Sequence, residues 1–358
     1  MKKTTGLLLT LTIALLSLSL AGCGNSASST SKDSEEPKFV NGKLTKEFEL
    51  KTPTFTGFNE FIIADLKGFF KEVNIKPVYT GVLAQGSNLA QSVVRGDNDL
   101  FGSGHPTNIA VARKAGAKIK IVLHSMVDSP ENNKLHMTWL VKDGGKINSP
   151  ADLVGKKIAV GNLGGCVDLL NSEFLKQNNI PKDKVEVVVM KDELQEQALR
   201  QGIIDVAVVH PPYNVKAENA GGVKVLTTSF DIGTKAGDGT IGGLAVRAFS
   251  EDFIKKHPDV VKAYIVADLK AQQWINDHYE EALKLEAEYL KIDPKDMAGN
   301  IYPNQWWVKP EQVQWWIDTA YKNKLAGFEN PGEIKAEDLF TNDLNPYYTK
   351  ELAIPANK

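Results

Sequence analysis

Short apolar runs alternate with segments of helical periodicity along most of this chain, and this alternation restricts the fold more than any other feature. Such alternation is typical of α/β proteins, in which helices cover parallel or mixed sheets. The pattern predicts strands over 48–55, 75–82, 100–101, 119–124, 137–141, 157–161, 185–190, 203–209 and 223–226. It predicts helices over 59–72, 87–95, 108–114, 165–177 and 194–201. Beyond Ser250 the pattern is almost wholly helical, which predicts a helical C-terminal tail.

Composition excludes several classes of protein. A chain of 358 residues is long enough for about two domains. Its 42% apolar and 24% charged residues are ordinary for a globular protein, which excludes wholesale disorder. With 42 basic against 44 acidic residues the chain lacks the excess of positive charge that is typical of nucleic-acid-binding proteins. Its two cysteines cannot form a disulfide-rich scaffold or a four-cysteine metal site. We expect no cofactor.

The N-terminus has the pattern of a secretory signal. The apolar run from Leu7 to Leu20 follows two lysines and is shorter than the ~20 residues that a membrane-spanning helix needs. The sequence Leu20-Ala21-Gly22-Cys23 resembles the lipobox of bacterial lipoproteins, which implies cleavage before Cys23 and a lipid on its thiol. We therefore predict a signal peptide over 1–22 and a flexible Ser-rich tether over 23–45, with the fold starting near Lys46. The protein would attach to the membrane through this lipid only, at the cell surface or in the periplasm.

A short pattern occurs twice, once in each half of the α/β region. Gly96 and Asp99 stand at the same spacing as Gly202 and Asp205, where a predicted helix ends and a buried strand follows. A His-Pro pair then comes within six residues of each copy, as His105-Pro106 and His210-Pro211. If the two copies are structural equivalents, both His-Pro loops lie at the carboxyl ends of their strands, where open α/β sheets bind ligands.

Several further motifs follow one another in an order typical of one family. They are Leu66-Lys67-Gly68-Phe69-Phe70-Lys71-Glu72, the strand entry over 96–102, the segment 151–160 (ADLVGKKIAV), and His257-Pro258-Asp259-Val260-Val261 followed by Trp274-Ile275-Asn276. On these motifs the chain resembles the substrate-binding proteins of ABC importers for nitrate, sulfonate and taurine, a group that includes binders of thiamine precursors. The resemblance runs from about Phe48 to Lys291.

The resemblance implies a fold and a function. The fold would be a two-lobed α/β, periplasmic-binding-protein-like fold of type II, hinged by two crossovers and ending in a helical tail. Lobe 1 would comprise 46–130 and 235–358, and lobe 2 would comprise 131–234, with the second crossover at 237–243. The protein would not be an enzyme. It would be a monomer that captures a small anionic solute between the lobes, such as a sulfonate, taurine or nitrate, and delivers it to a permease with its ATPase.

Four loops are predicted to line the cleft. Helix N-termini and glycine-rich turns present backbone N–H groups to anions, and hydroxyl and amide side chains add donors. The predicted ligand-binding residues are Thr56, Gly57, Phe58, Asn59, Ser103, Gly104, His105, Asn162, Gly164, Gly165, His210 and Tyr213. We assign no catalytic residue and no metal ligand.

Three alternatives remain open at this stage. The solute could be a thiamine-pyrimidine-like precursor, or a transition metal held between His105 and His210. The chain could also be an extracytoplasmic enzyme on the same scaffold, although it has no Gly-x-Ser-x-Gly elbow and no HExxH helix. Cys166 begins a predicted helix, where a thiol can become reactive, but we expect it to be a small packing residue.

Overall fold

The computed structural model describes residues 35–83 and 87–355, so the predicted signal peptide, Cys23 and the start of the tether lie outside the described residues. The strands are β1 Phe39–Val40, β2 Lys43–Leu44, β3 Phe48–Thr52, β4 Ile75–Tyr79, β5 Leu100–Phe101, β6 Ile119–His124, β7 Thr138–Lys142, β8 Lys157–Val160, β9 Glu186–Val189, β10 Val206–Val209, β11 Val223–Thr228 and β12 Val246–Ser250. The α-helices are α1 Glu60–Leu66, α2 Phe69–Glu72, α3 Ser87–Arg95, α4 Pro106–Lys114, α5 Cys166–Gln177, α6 Asp192–Gln201, α7 Tyr213–Asn219, α8 Ser229–Lys235, α9 Glu251–Lys256, α10 Pro258–Asp277, α11 Tyr279–Leu290 and α12 Pro310–Lys322.

The largest sheet has five strands in the order β11-β7-β10-β8-β9. Strands β9, β8 and β10 run parallel to one another, while β7 is antiparallel to both β10 and β11. The central strand β10, with the sequence VAVV, is buried along its whole length. Continuous apolar runs of this kind are typical of strands that are covered on both faces. The mixed α/β architecture predicted from the alternating pattern is confirmed.

A second sheet has three strands in the order β5-β12-β6, and β3 and β4 form a parallel pair. The five-stranded sheet draws all its strands from 138–228, whereas the three-stranded sheet uses 100–124 and 246–250. The residues from Glu36 onward pack as one compact unit. The lobe boundaries at 131 and 235 therefore stay a prediction, which the sheet membership supports.

Helix α3 and strands β5 and β6 have the predicted bounds, while other elements differ at their ends. The helix predicted over 59–72 is divided into α1 and α2, because Gly68 adopts the left-handed conformation with φ of 76°. The strand predicted from Ile203 begins at Val206. The helical tail after Ser250 is present as α9 to α12. In the described part of the chain, no helix is both long and apolar enough to cross a membrane.

The structure differs from the predicted tether over its last residues. Strands β1 and β2 form an antiparallel hairpin in which Phe39 and Leu44 are buried. The Leu44 N–H also donates to the Val73 carbonyl at 3.1 Å. Burial of these two apolar side chains stabilises order in the segment. The fold therefore starts before Lys46, within the range that polar composition had marked as flexible.

The glycine and the aspartate three residues later, which occur at 96 and 99 and again at 202 and 205, have the same structural role in both places. Gly96 and Gly202 follow helices α3 and α6 with φ of 77° and 74°, which is the left-handed conformation that favours glycine after a helix. The Asp99 carboxylate accepts from the Lys51 N–H at 2.7 Å, and the Asp205 carboxylate accepts from the Lys157 N–H at 2.9 Å. Each aspartate thus ties the start of its strand to a neighbouring segment.

One buried histidine makes the fold sensitive to acid. The His124 side chain at the end of β6 is fully buried, and neither ring nitrogen has a hydrogen-bond partner among the described residues. Burial lowers the pKa of His124 to about 3. The unfolded chain therefore takes up this proton at a higher pH than the folded chain does, and stability falls as the pH falls from about 6.5 towards 3.

We predict that His124→Leu removes this part of the acid sensitivity. Between pH 7 and pH 5 the free energy of unfolding of the wild type should fall by about 2 kcal/mol more than that of the variant. Urea unfolding at the two pH values measures the difference. The control is His278→Leu at an exposed position, which should behave as the wild type. Equal losses in His124→Leu and the wild type would contradict the prediction.

Candidate functional site

Three loops that follow strands enclose a pocket of about 160 Å³. They are the loop after β3, the loop after β5 and the loop after β10. The lining residues are Pro53, Thr54, Phe55, Thr56, Gly57, Phe58, Asn59, Leu83, Leu89, Ser103, Met126, His136, His210, Pro211 and Asn300. Pockets for drug-sized ligands usually measure ~300–1,000 Å³, so this pocket suits a small solute.

The loop after β3 is held in place by the residue that caps the next helix. The Asn59 side-chain oxygen accepts from the Phe61 N–H at 2.9 Å, which satisfies one of the free donors at the start of α1. The Asn59 backbone N–H in turn donates to the Glu286 carboxylate at 3.0 Å. Asn59 therefore lines the pocket, but its hydrogen bonds fix the loop.

A buried arginine connects this loop to the next one. Arg247 is 1% exposed and forms an ion pair with Glu60, while its Nε lies 3.7 Å from an Asp268 oxygen. The guanidinium also donates to the Asn59 side-chain oxygen at 3.2 Å and to the Gly102 carbonyl. Arg247 therefore positions two pocket loops, and it is not among the described residues that line the pocket.

The loop after β5 leads into helix α4 through His105. The His105 N–H donates to the Asn108 side chain at 2.9 Å, as in a capped helix start. Gly104 allows the close approach of the loop, since a Cβ at this position would lie 2.5 Å from the Phe101 ring. The His105 ring stacks on Trp316 of the tail helix α12, with ring centroids 4.7 Å apart. Ser103 lines the pocket in front of this ring.

Next to the pocket, three histidines converge on one thiol. Ligand atoms of His105, His136 and Cys166 all lie within 4.8 Å of one another, and all three residues are buried. The His210 Nε2 lies 3.6 Å from the Cys166 Sγ. The four residues line a cavity of about 80 Å³, and His136 and His210 also line the larger pocket. We call these four residues the His–Cys cluster.

Each imidazole of the cluster is oriented by an oxygen on its other side. Nδ1 of His105 lies 2.7 Å from the Leu244 carbonyl, and Nδ1 of His136 lies 3.0 Å from the Gly242 carbonyl. Nδ1 of His210 lies 2.6 Å from the Asp192 carboxylate. Carbonyl and carboxylate oxygens only accept, so these contacts assign a proton to each Nδ1 and direct each Nε2 towards the interior of the cluster.

The same contacts shift the acidity of the cluster. Burial raises the pKa of Cys166, but the neighbouring imidazoles outweigh burial and hold that pKa well below its usual value. Burial lowers the pKa of His136 to about 4. For His210 burial is outweighed by Asp192, which raises the pKa to about 10. Both shifts favour the charged forms of the Cys166 thiol and the His210 imidazole.

The predicted residues divide into three groups. The pocket is lined by Thr56, Gly57, Phe58, Asn59, Ser103 and His210. The small cavity is lined by Ser103, Gly104, His105, Asn162, Gly165 and His210. Gly164 and Tyr213 lie outside both: Gly164 lines a separate cavity and donates its N–H to Asp168, and Tyr213 packs against the apolar cluster of the five-stranded sheet. Contact of any of these residues with a solute stays a prediction.

Sequence reasoning missed three residues of the site. His136 lies between β6 and β7 with no motif around it, and only the fold brings it to the cluster. Asp192 begins α6, 18 residues before the histidine that it orients. Cys166 was expected to be only a packing residue, whereas its thiol lies close to all three imidazoles of the cluster. Its position at the start of α5 was the one available signal.

We predict that Arg247→Met destabilises the fold strongly, because it leaves the buried Glu60 carboxylate without its partner. Removal of one member of a buried ion pair typically costs about 3–5 kcal/mol. Urea unfolding measures the loss. The matched control is Arg95→Met, which breaks an exposed ion pair with Asp97 and should change the free energy of unfolding little. Similar values for the two variants would contradict the structural role of Arg247.

Three comparisons relate the chain to known proteins. Residues 55–282 match the model of a family described as "NMT1/THI5 like". The taurine-binding periplasmic protein of Escherichia coli strain K12 is 31% identical over 189 residues, which are 52% of this chain and 54% of that protein. The chain thus spans about half the length of this curated relative.

Solved structures with the same fold include both binding proteins and an enzyme. The aliphatic sulphonate-binding protein SsuA from Escherichia coli is 20% identical, with a TM-score of 0.62 over 81% of this chain and 91% of that chain. The desulfurization enzyme DSZB is 13% identical, with a TM-score of 0.58 over 85% of this chain and 99% of that chain. At these identities the likeness shows the fold alone, and it confirms the predicted periplasmic-binding-protein-like fold.

Proposed function

The chain belongs to the NMT1/THI5-like family, and we propose that it is the extracytoplasmic solute-binding component of an ABC importer. In this role it captures a small solute in the pocket and delivers it to a permease, with an ATPase on a separate chain. The taurine-binding relative supports this class of function, because it is 31% identical to this chain over about half of each protein.

The proposal rests on the position in the fold of the loops that line the pocket. Thr54 to Asn59 and Ser103 follow strands outside the five-stranded sheet, whereas His210 and Pro211 follow its central strand β10. A solute in the pocket therefore touches loops from both predicted lobes. A ligand that gains contacts from both sides favours the closed arrangement over an open one, as capture and delivery require.

The solute class that we propose is a small anion such as a sulfonate, taurine or nitrate. The hydroxyl groups of Thr54, Thr56 and Ser103 line the pocket and can donate to anionic oxygens. Among the described lining residues there is no lysine or arginine, and both His210 ring nitrogens already face Cys166 and Asp192, so recognition would rest on neutral donors. The rings of Phe55 and Phe58 could instead pack against a thiamine-pyrimidine-like precursor, which is the second solute class to test.

One observation favours a different function. Cys166, His210 and Asp192 are aligned as a thiol, a base and an orienting carboxylate, which is the arrangement of many cysteine nucleophiles. We favour binding over catalysis because His105 and His136 each place a ring nitrogen within 4.8 Å of this thiol, and a nucleophile needs only one imidazole. Incubation with taurine, alkanesulfonates or a pyrimidine, followed by NMR of the solution, should show no product, and turnover would overturn the binding assignment.

We predict that one anion class raises the melting temperature of the full chain in mild detergent. A ligand at ~100 times its Kd stabilises a protein by about 2.7 kcal/mol, which gives a shift of several degrees. Ser103→Ala and His210→Ala should weaken this shift, because both side chains line the pocket. Tyr213→Phe is the control outside the pocket and should retain it. No shift with any of the anions would count against the solute class.

We also propose that the protein is lipid-anchored through Cys23, on the basis of the Leu20-Ala21-Gly22-Cys23 motif. Acyl chains on this residue would hold it at the membrane. Cys23→Ser should move the protein from the membrane fraction to the soluble fraction and abolish labelling with a fatty acid. Membrane retention of the variant would contradict the anchor.

A further inference from the structure

We propose that the His–Cys cluster binds a late first-row transition-metal ion, such as Zn²⁺, through three imidazole nitrogens and one thiolate. This site goes beyond the proposed function, and it does not depend on which solute the larger pocket takes. The Cys166 sulfur lies within 4.8 Å of a ring nitrogen of His105 and of His136, and 3.6 Å from the His210 Nε2.

The distances fit a four-coordinate ion. In a tetrahedral site with bonds of ~2.0–2.3 Å, neighbouring ligand atoms lie less than 4 Å apart. His105, His136 and Cys166 already have their ligand atoms within 4.8 Å, and the His210 Nε2 is 3.6 Å from the sulfur. Small side-chain movements therefore suffice to form the site. The cavity of about 80 Å³ that all four residues line is large enough for one ion.

The second argument is the orientation of the imidazoles. Metal-binding histidines almost always donate the other ring N–H to a carbonyl or carboxylate, which fixes the tautomer. All three histidines of the cluster do this, toward Leu244 O, Gly242 O and the Asp192 carboxylate. A catalytic thiol would require such orientation of one histidine only. When an ion binds, His210 releases its second proton, and three Nε2 lone pairs then face the ion beside the thiolate, as a metal site needs.

The donor types select the metal. Thiolate and imidazole are ligands of Zn²⁺ and copper, whereas Mg²⁺ and Ca²⁺ prefer oxygen ligands. The charge also balances, because the thiolate of Cys166 and the nearby carboxylate of Asp192 together offset a divalent ion in a buried site. His136 and His210 line both cavities, so the ion would lie beside the solute pocket.

The test is a metal titration of the full chain in mild detergent, after chelator treatment and removal of the chelator. Calorimetry with Zn²⁺ should give one site per chain, and Co²⁺ should give a thiolate-to-cobalt charge-transfer band with tetrahedral d–d bands. Cys166→Ser and His136→Gln should each weaken Zn²⁺ binding more than about 100-fold, and Asp192→Asn about 10–100-fold. Cys166→Ser should also abolish the charge-transfer band.

The control is His278→Gln at an exposed position, which should bind Zn²⁺ as the wild type does. Circular dichroism of the metal-free variants checks that each is folded, and His136→Gln keeps the test decisive if Cys166→Ser does not fold. Absence of a one-to-one site, or equal affinity in the wild type, Cys166→Ser and His136→Gln, would overturn the proposal. Anion binding to the same metal-free sample tests the proposed function separately, so the failure of one proposal is distinguishable from the failure of the other.

Discussion

One buried guanidinium determines how two of the loops that line the pocket are arranged. Arg247 is buried, forms an ion pair with Glu60, lies beside Asp268, and donates hydrogen bonds to Asn59 and the Gly102 carbonyl. A buried charge is tolerated only when its partners and hydrogen bonds are in place. The loops after β3 and β5 must therefore adopt positions that satisfy Arg247, and the pocket shape follows from this requirement.

The parts of the fold that the sequence could predict depend on local patterns. The alternating apolar pattern places α3, β5 and β6 correctly, because period and turn signals act over a few residues. The equivalent positions of Asp99 and Asp205 could be recognised in the sequence for the same reason. The hairpin β1–β2 was missed, because its stability comes from burial of Phe39 and Leu44 against residues distant in sequence.

The candidate site could be predicted only in part, because some of its residues are brought together by the order of strands in the sheets. Loops that follow strands can be named from the strand pattern, and most predicted residues do line one of the two cavities. Two residues of the site come from other parts of the chain. His136 lies in the connection between β6 and β7, and Asp192 lies at the start of α6. No spacing in the sequence indicates that these two residues join the cluster, because the order of strands in the sheets brings them there.

The stacking of His105 on Trp316 gives the C-terminal tail a direct connection to the cluster. The Trp316 indole also donates to the Ile241 carbonyl at 3.0 Å, so helix α12 contacts both the histidine and the predicted second crossover. A protein shortened before Pro310, or a fusion partner that displaces α12, would lose the aromatic surface that holds this imidazole. Helix α12 is thus a structural wall of the site, which extends well beyond the two sheets.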